Sequence, residues 1–137
     1  MSITQLLTEL KELNLPQGHY AITASDPLAI RGLREARDLD IIVTEELWEE
    51  LKTQYAPYLL SEDNIIYGNI HILGKYLKAN DEIYATAEEQ LAESELIGNL
   101  PFVKLETIKK YKTLLARDKD LEDLVLIQNY FNSIDTQ

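Results

Sequence analysis

Two carboxylates sit where a buried strand should carry none. The run Leu39-Asp40-Ile41-Ile42-Val43 is apolar enough for a strand in a core, and Asp38 and Asp40 flank its first residue. Side chains alternate along a strand, so residues i and i+2 share one face. Asp38 and Asp40 therefore stand side by side, a few ångströms apart. An ionised carboxylate in such a strand costs several kcal/mol unless a cation or strong donors meet it. The sequence offers two answers: a divalent metal, or the arginines just upstream.

Those arginines, Arg31, Arg34 and Arg37, recur at a spacing that puts them near one side of a helical turn. A small positive cluster ahead of paired acids suits a phosphate. It equally suits plain ion pairs with Glu35, Asp38 and their neighbours, and both readings stand on the residues alone. The formal charge of −11 over 137 residues argues against a broad nucleic-acid-binding face but not against a local basic pocket. The absence of cysteine removes disulfides, thiolate zinc sites and cysteine nucleophiles. Two histidines are too few for a histidine-only metal site. No apolar run reaches the roughly eighteen residues of a membrane span. The N-terminus, MSITQLLTELKEL, has acids where a signal peptide needs a basic start, so the expected address is the cytoplasm. An apolar share of 45% with 27% charged residues fits one globular domain over residues 1–137.

Ser2 with Gln5 reads as a capping box, and Ile3, Leu6, Leu7, Leu10 and Leu13 form one apolar stripe, which predicts a first helix. His19–Thr23 alternates as a strand, Ala24–Pro27 is a tight turn, and Leu28–Leu33 reads as a short helix. After the strand at 39–43, Thr44 caps a helix whose first turn holds Glu45 and Glu46, and Pro57 breaks it. Ser61–Asn64 reads as a loop, and Asn64–Tyr67 and Asn69–Leu73 read as β segments hinged at Gly68. No pattern assigns 75–82. Thr86 with Glu89 starts a helix to about Glu95, and Phe102–Val103 is a brief strand. A helix over Leu105–Leu115 turns Leu105, Ile108, Tyr111, Leu114 and Leu115 inward, and a last helix starts at Asp120. For Lys119, Asp120 and Asp123 the leading reading is structural: capping acids and an ion pair at a helix start. The fold class is α/β (α+β): a mixed β-sheet covered by helices, with a helical C-terminal segment.

The ordered set of Ser25 in a turn, Leu28-Ala29 and Gly32-Leu33-Arg34 in a helix, and Asp38-x-Asp40 on a strand resembles the start of a nucleotidyltransferase-fold domain. It is similar to the minimal kind related to the DNA polymerase beta superfamily. Lys119-Asp120-Leu121-Glu122-Asp123 and Leu105-Glu106-Thr107-Ile108-Lys109 are similar to small bacterial and archaeal members, so the resemblance spans about residues 15–131. It implies a nucleoside triphosphate substrate, held at Ala24 and Ser25 through turn amides and the serine hydroxyl, with Arg34 neutralising charge or bracing the aspartates. It implies Mg²⁺ on Asp38 and Asp40, a third acid on a later strand, and transfer of a nucleoside monophosphate to a protein or RNA hydroxyl. It also implies a protein partner or a specific RNA, since such small proteins often work in pairs, toxin–antitoxin pairs included.

The chain departs from that pattern in two places. The usual Gly-Ser turn is Ala24-Ser25, followed by Asp26, and alanine restricts the backbone there. The third acid is missing from Gly68–Ile72, where the candidates are Asn69 and His71, with Asp63 and Glu82 in flanking loops. His71 is the substitute that could ligate a metal or act as a base. Two functions follow: a metal-dependent nucleotidyltransferase, or a catalytically degenerate module of that fold that binds and regulates through a partner. A carboxylate from Asp63 or Glu82 at Asp38 and Asp40 favours the first, and an apolar or histidine-filled site, or Asp40 held by an arginine, favours the second.

Overall fold

The computed structural model describes residues 2–79 and 82–135. In chain order its first half holds α1 (Ile3–Glu12), β1 (Tyr20–Ile22), α2 (Asp26–Ala29), β2 (Leu39–Val43) and α3 (Glu45–Gln54). A single 3₁₀ turn, Ala56–Tyr58, leads into β3 (Leu59–Ser61), β4 (Asn64–Tyr67) and β5 (Ile70–Gly74). The remainder is β6 (Tyr76–Ala79), β7 (Glu82–Thr86), α4 (Ala87–Ala92), β8 (Ser94–Ile97), β9 (Leu100–Val103), α5 (Leu105–Leu115) and α6 (Asp118–Asp135). Seven strands form one mixed sheet in the order β3-β4-β5-β2-β1-β9-β8, and β6 and β7 form a separate antiparallel hairpin. Within the sheet β2 runs parallel to β5 and antiparallel to β1.

Alternation along β2 divides the core. Leu39, Ile41 and Val43 point to one face, where they pack with Leu6 and Leu10 of α1 and Trp48 of α3. Ile42 points to the other, with Ala87 of α4, Leu105 and Ile108 of α5 and Ile127 of α6. Asp40 shares that second face by the same period of two. The helical C-terminal segment thus covers the side of the sheet that carries the carboxylate.

Local signals explain most elements. The Ser2–Gln5 capping box forms at α1, and the Thr44 and Thr86 hydroxyls accept from Leu47 and Glu89 to start α3 and α4. Other expectations are corrected. The helix expected over Leu28–Leu33 stops at Ala29, because Gly32 turns the chain at φ +74. The three arginines consequently share no helical face: Arg31 pairs with Glu95 at 2.5 Å, while Arg34 turns to Asp123. The helix expected to reach Glu95 ends at Ala92, and 94–97 is strand β8 paired with β9. Leu114, expected inward, is 69% exposed, and Glu82 lies on a strand rather than in a loop. Part of the unassigned segment 75–82 falls outside the described residues; the rest is the β6–β7 hairpin. Among the described residues no helix is long and apolar enough to cross a membrane.

Candidate functional site

The turn after β1 and the first residues of β2 open on one cavity of about 510 Å³. Six of the candidate residues line it: Ala24, Ser25, Arg34, Asp38, Asp40 and His71. Asp40 and His71 face each other because β2 and β5 run parallel with these two residues in register. The His71 Nδ1 lies 3.1 Å from Asp40 Oδ1, and its Nε2 lies 3.0 Å from Asn64 Oδ1. Asn64 is oriented by Asp63, whose carboxylate accepts from its Nδ2 at 2.9 Å. A carboxylate only accepts, so Asn64 presents its carbonyl oxygen to His71. Both ring nitrogens of His71 therefore face acceptors, the arrangement that suits an imidazolium. The hydrogen bond to Asp40 raises the pKa of His71 above its ordinary value, against the opposing effect of burial. Asp63 thus reaches the site only through Asn64 and His71, and not as a third carboxylate. Asp40 is held by a histidine and not by Arg34.

Asp38 is exposed and pairs with no group among the described residues. Asp26 is buried, at 4% exposure, and its Oδ2 accepts the Asp40 backbone N–H at 2.7 Å. Burial pushes its pKa up to about 8, helped by the nearby Asp40 and Asp38 charges and opposed by that hydrogen bond. Below that pH the carboxyl is neutral, so Asp26 adds little negative charge beside a phosphate. Ala24 adopts φ +60, the left-handed conformation that glycine holds without strain, so the chain keeps the turn despite its side chain.

The amides that follow the turn are already bonded within the chain. The Asp26 amide bonds back to the Thr23 carbonyl, Pro27 has no N–H, and the Leu28 and Ala29 amides go to the Ser25 carbonyl. Side chains gather beside the turn. Ser25 Oγ donates to Asp123 Oδ2 at 2.7 Å and accepts from Lys112 Nζ at 3.1 Å. Arg34 Nη1 meets Asp123 Oδ1 at 2.6 Å, Lys112 meets Asp123 at 2.8 Å and Asp120 at 3.5 Å, and Arg117 Nε meets Asp120 at 2.6 Å. Within this network three cations face two carboxylates, one positive charge in excess. Burial alone would raise both carboxyl groups; hydrogen bonds from Arg117, and from Lys112 and Ser25, instead hold Asp120 and Asp123 below their ordinary values.

Two comparisons give no match: no protein-family model and no curated protein sequence matches the chain. Among solved structures, one crystal structure is similar over 97% of this chain and 96% of its own, with a TM-score of 0.61 and 17% identity. It is described as that of a "putative nucleotidyltransferase (TM1012) from Thermotoga maritima". The chain has a nucleotidyltransferase fold. On this nucleotidyltransferase fold, Asp38, Asp40 and the turn after β1 meet at the cavity.

The site also contains residues that the sequence left aside. Lys112 comes from α5, Asp120 and Asp123 from α6, and Arg117 from the link between them, where a left-handed Ala116 at φ +49 turns the chain. The signal was present in Lys119-Asp120-Leu121-Glu122-Asp123, but a helix-capping role explained it equally well. Among the described residues no group of three His, Asp or Glu converges as a cation site. A two-metal cluster built on three carboxylates therefore does not fit this chain. A single Mg²⁺ would be held by Asp38, just before β2, and Asp40 within it, both of which line the cavity.

Proposed function

We propose that the protein binds a nucleoside triphosphate in this cavity and transfers its monophosphate to a hydroxyl of a protein or RNA. The observation that carries the reading is the juxtaposition of the Asp38–Asp40 face with a wall of Arg34, Lys112 and Arg117 in positive excess. Asp38 and Asp40 would hold Mg²⁺, which when bound polarises phosphoryl oxygens and offsets their charge. Arg34, with Ser25 beside it, neutralises charge on the departing pyrophosphate. The acceptor oxygen bonds to the α-phosphorus as the bond to pyrophosphate breaks, and the acceptor proton passes to a carboxylate of the pair. The acidic surface suits a basic protein partner that brings the acceptor, or an RNA docked at the local basic site.

One observation favours a second reading, a module of this fold that binds nucleotide without transfer: the His71 ring lies against Asp40 where a third acid would stand. Label transfer separates the two. Nucleoside triphosphates labelled at the α-phosphate are incubated with the protein, Mg²⁺ and cell extract, and label is followed into protein and RNA. The transferase reading predicts labelled product, lost in Asp38→Asn/Asp40→Asn. Nucleotide binding without any labelled product would favour the second reading.

A further inference from the structure

The β6–β7 hairpin carries an irregularity beside the cavity. Leu77 pairs with Ala85 and Lys78 with Ile83, so Tyr84 is the extra residue of a β-bulge, opposite no partner. A bulge re-aims side chains next to a site, and here the consecutive residues Leu77 and Lys78, which a regular strand would send to opposite faces, both line the cavity together with Tyr84. The Tyr84 ring meets Tyr111 of α5 at 5.5 Å between centroids and an interplanar angle of 70°. Leu73 and Ile108 continue this wall. Its position follows from the strands: Leu73 stands two residues, about 7 Å, beyond His71 on the same face.

We propose that Tyr84 and Tyr111 form a nucleobase subsite, in which the base of the bound nucleotide packs on the tyrosine rings while its phosphates lie at Arg34 and the Asp38–Asp40 face. The inference rests on the nucleotide reading of the cavity and adds to it the residues that recognise the base. One continuous cavity joins the aromatic wall to the cationic one, which a nucleotide fits and a phosphorylated aliphatic molecule does not exploit. Base stacking on an aromatic residue is worth about 1–3 kcal/mol, or roughly 5- to 150-fold in affinity.

The test compares two probes by calorimetry in Mg²⁺: each of the four nucleoside triphosphates, and inorganic tripolyphosphate, which has the charge and no base. At least one nucleotide is expected to bind wild type more tightly than tripolyphosphate. Tyr84→Ala and Tyr111→Ala are expected to weaken that nucleotide about 5- to 150-fold and leave tripolyphosphate as it was, while the phenylalanine variants retain most of the difference. Should Tyr111→Ala not fold, Tyr84→Ala decides alone, since Tyr84 belongs to neither core cluster. Equal nucleotide affinity in wild type and alanine variants would overturn the subsite and leave the nucleotide reading standing. Binding of neither probe would overturn both.

Discussion

Asp40 and His71 stand side by side on parallel strands, 3.1 Å apart, with Asn64 holding the far side of the imidazole. A histidine thus occupies the position next to the paired aspartates. Titration of the His71 ring by NMR should give a pKa above the ordinary histidine value, and Asp40→Asn should lower it, because the carboxylate that favours the charged ring is gone. An unchanged value in that variant would contradict the ion pair.

Asp26 makes stability fall as pH rises. Its folded pKa, about 8, lies above the unfolded value of 3.8. The contribution is therefore complete below about pH 4 and lost as pH rises through 8. His71, also raised, acts in the same direction above its ordinary pKa of 6.5. Asp26→Asn keeps an acceptor for the Asp40 N–H and removes the ionisation. Urea unfolding at a series of pH values should show a flatter profile from pH 5 to pH 9 in that variant. An equally steep decline would refute the assignment to Asp26.

Asp120 and Asp123 act at the other end of the scale. Both are lowered in the folded protein, so their stabilisation is present above the unfolded carboxylate pKa and is lost as pH falls through the folded one. Asp123→Ala would leave Lys112, 7% exposed at its side chain, and Arg34 without their shared carboxylate. Breaking a buried pair from one side costs about 3–5 kcal/mol. Chemical denaturation should show a loss in that range, and a loss below about 1 kcal/mol would mean the network contributes little.

Gly74 at the end of β5 lies against Trp48: a Cβ there would sit 2.6 Å from the indole. The neighbour is a fully buried ring, 1% exposed, so it has little room to move. Gly74→Ala is expected to cost about 1–3 kcal/mol through overpacking. Trp48 is the sole tryptophan, so its fluorescence should also change. Wild-type stability and emission would show that the ring yields freely.

The face of the sheet that carries the site was legible because β2 announces itself: an apolar run with acids at period two can be read without any partner strand. Capping residues marked α1, α3 and α4 for the same local reason. The C-terminal half of the site was not legible. In α6 the apolar Leu121 and Val125 are exposed while Asp120 and Asp123 are buried, the inverse of what hydrophobic patterning implies. Their burial depends on Arg34 and Lys112, and Arg34 lies 89 positions from Asp123 in the chain. Tyr84 was hidden for a related reason, since a bulge exists only in the pairing of two strands. The arginine triplet misled because one glycine, Gly32, ends the helix that would have aligned it.

The central claim is that Asp38 and Asp40 build a metal-dependent nucleotide site. The most direct measurement is thermal stability of wild type and Asp38→Asn/Asp40→Asn with each of the four nucleoside triphosphates, with and without Mg²⁺. A ligand at a hundred times its dissociation constant adds about 2.7 kcal/mol. A Mg²⁺-dependent upward shift is expected with at least one nucleotide in wild type and none in the double variant. No shift with any nucleotide, or the same shift in both proteins, would contradict it.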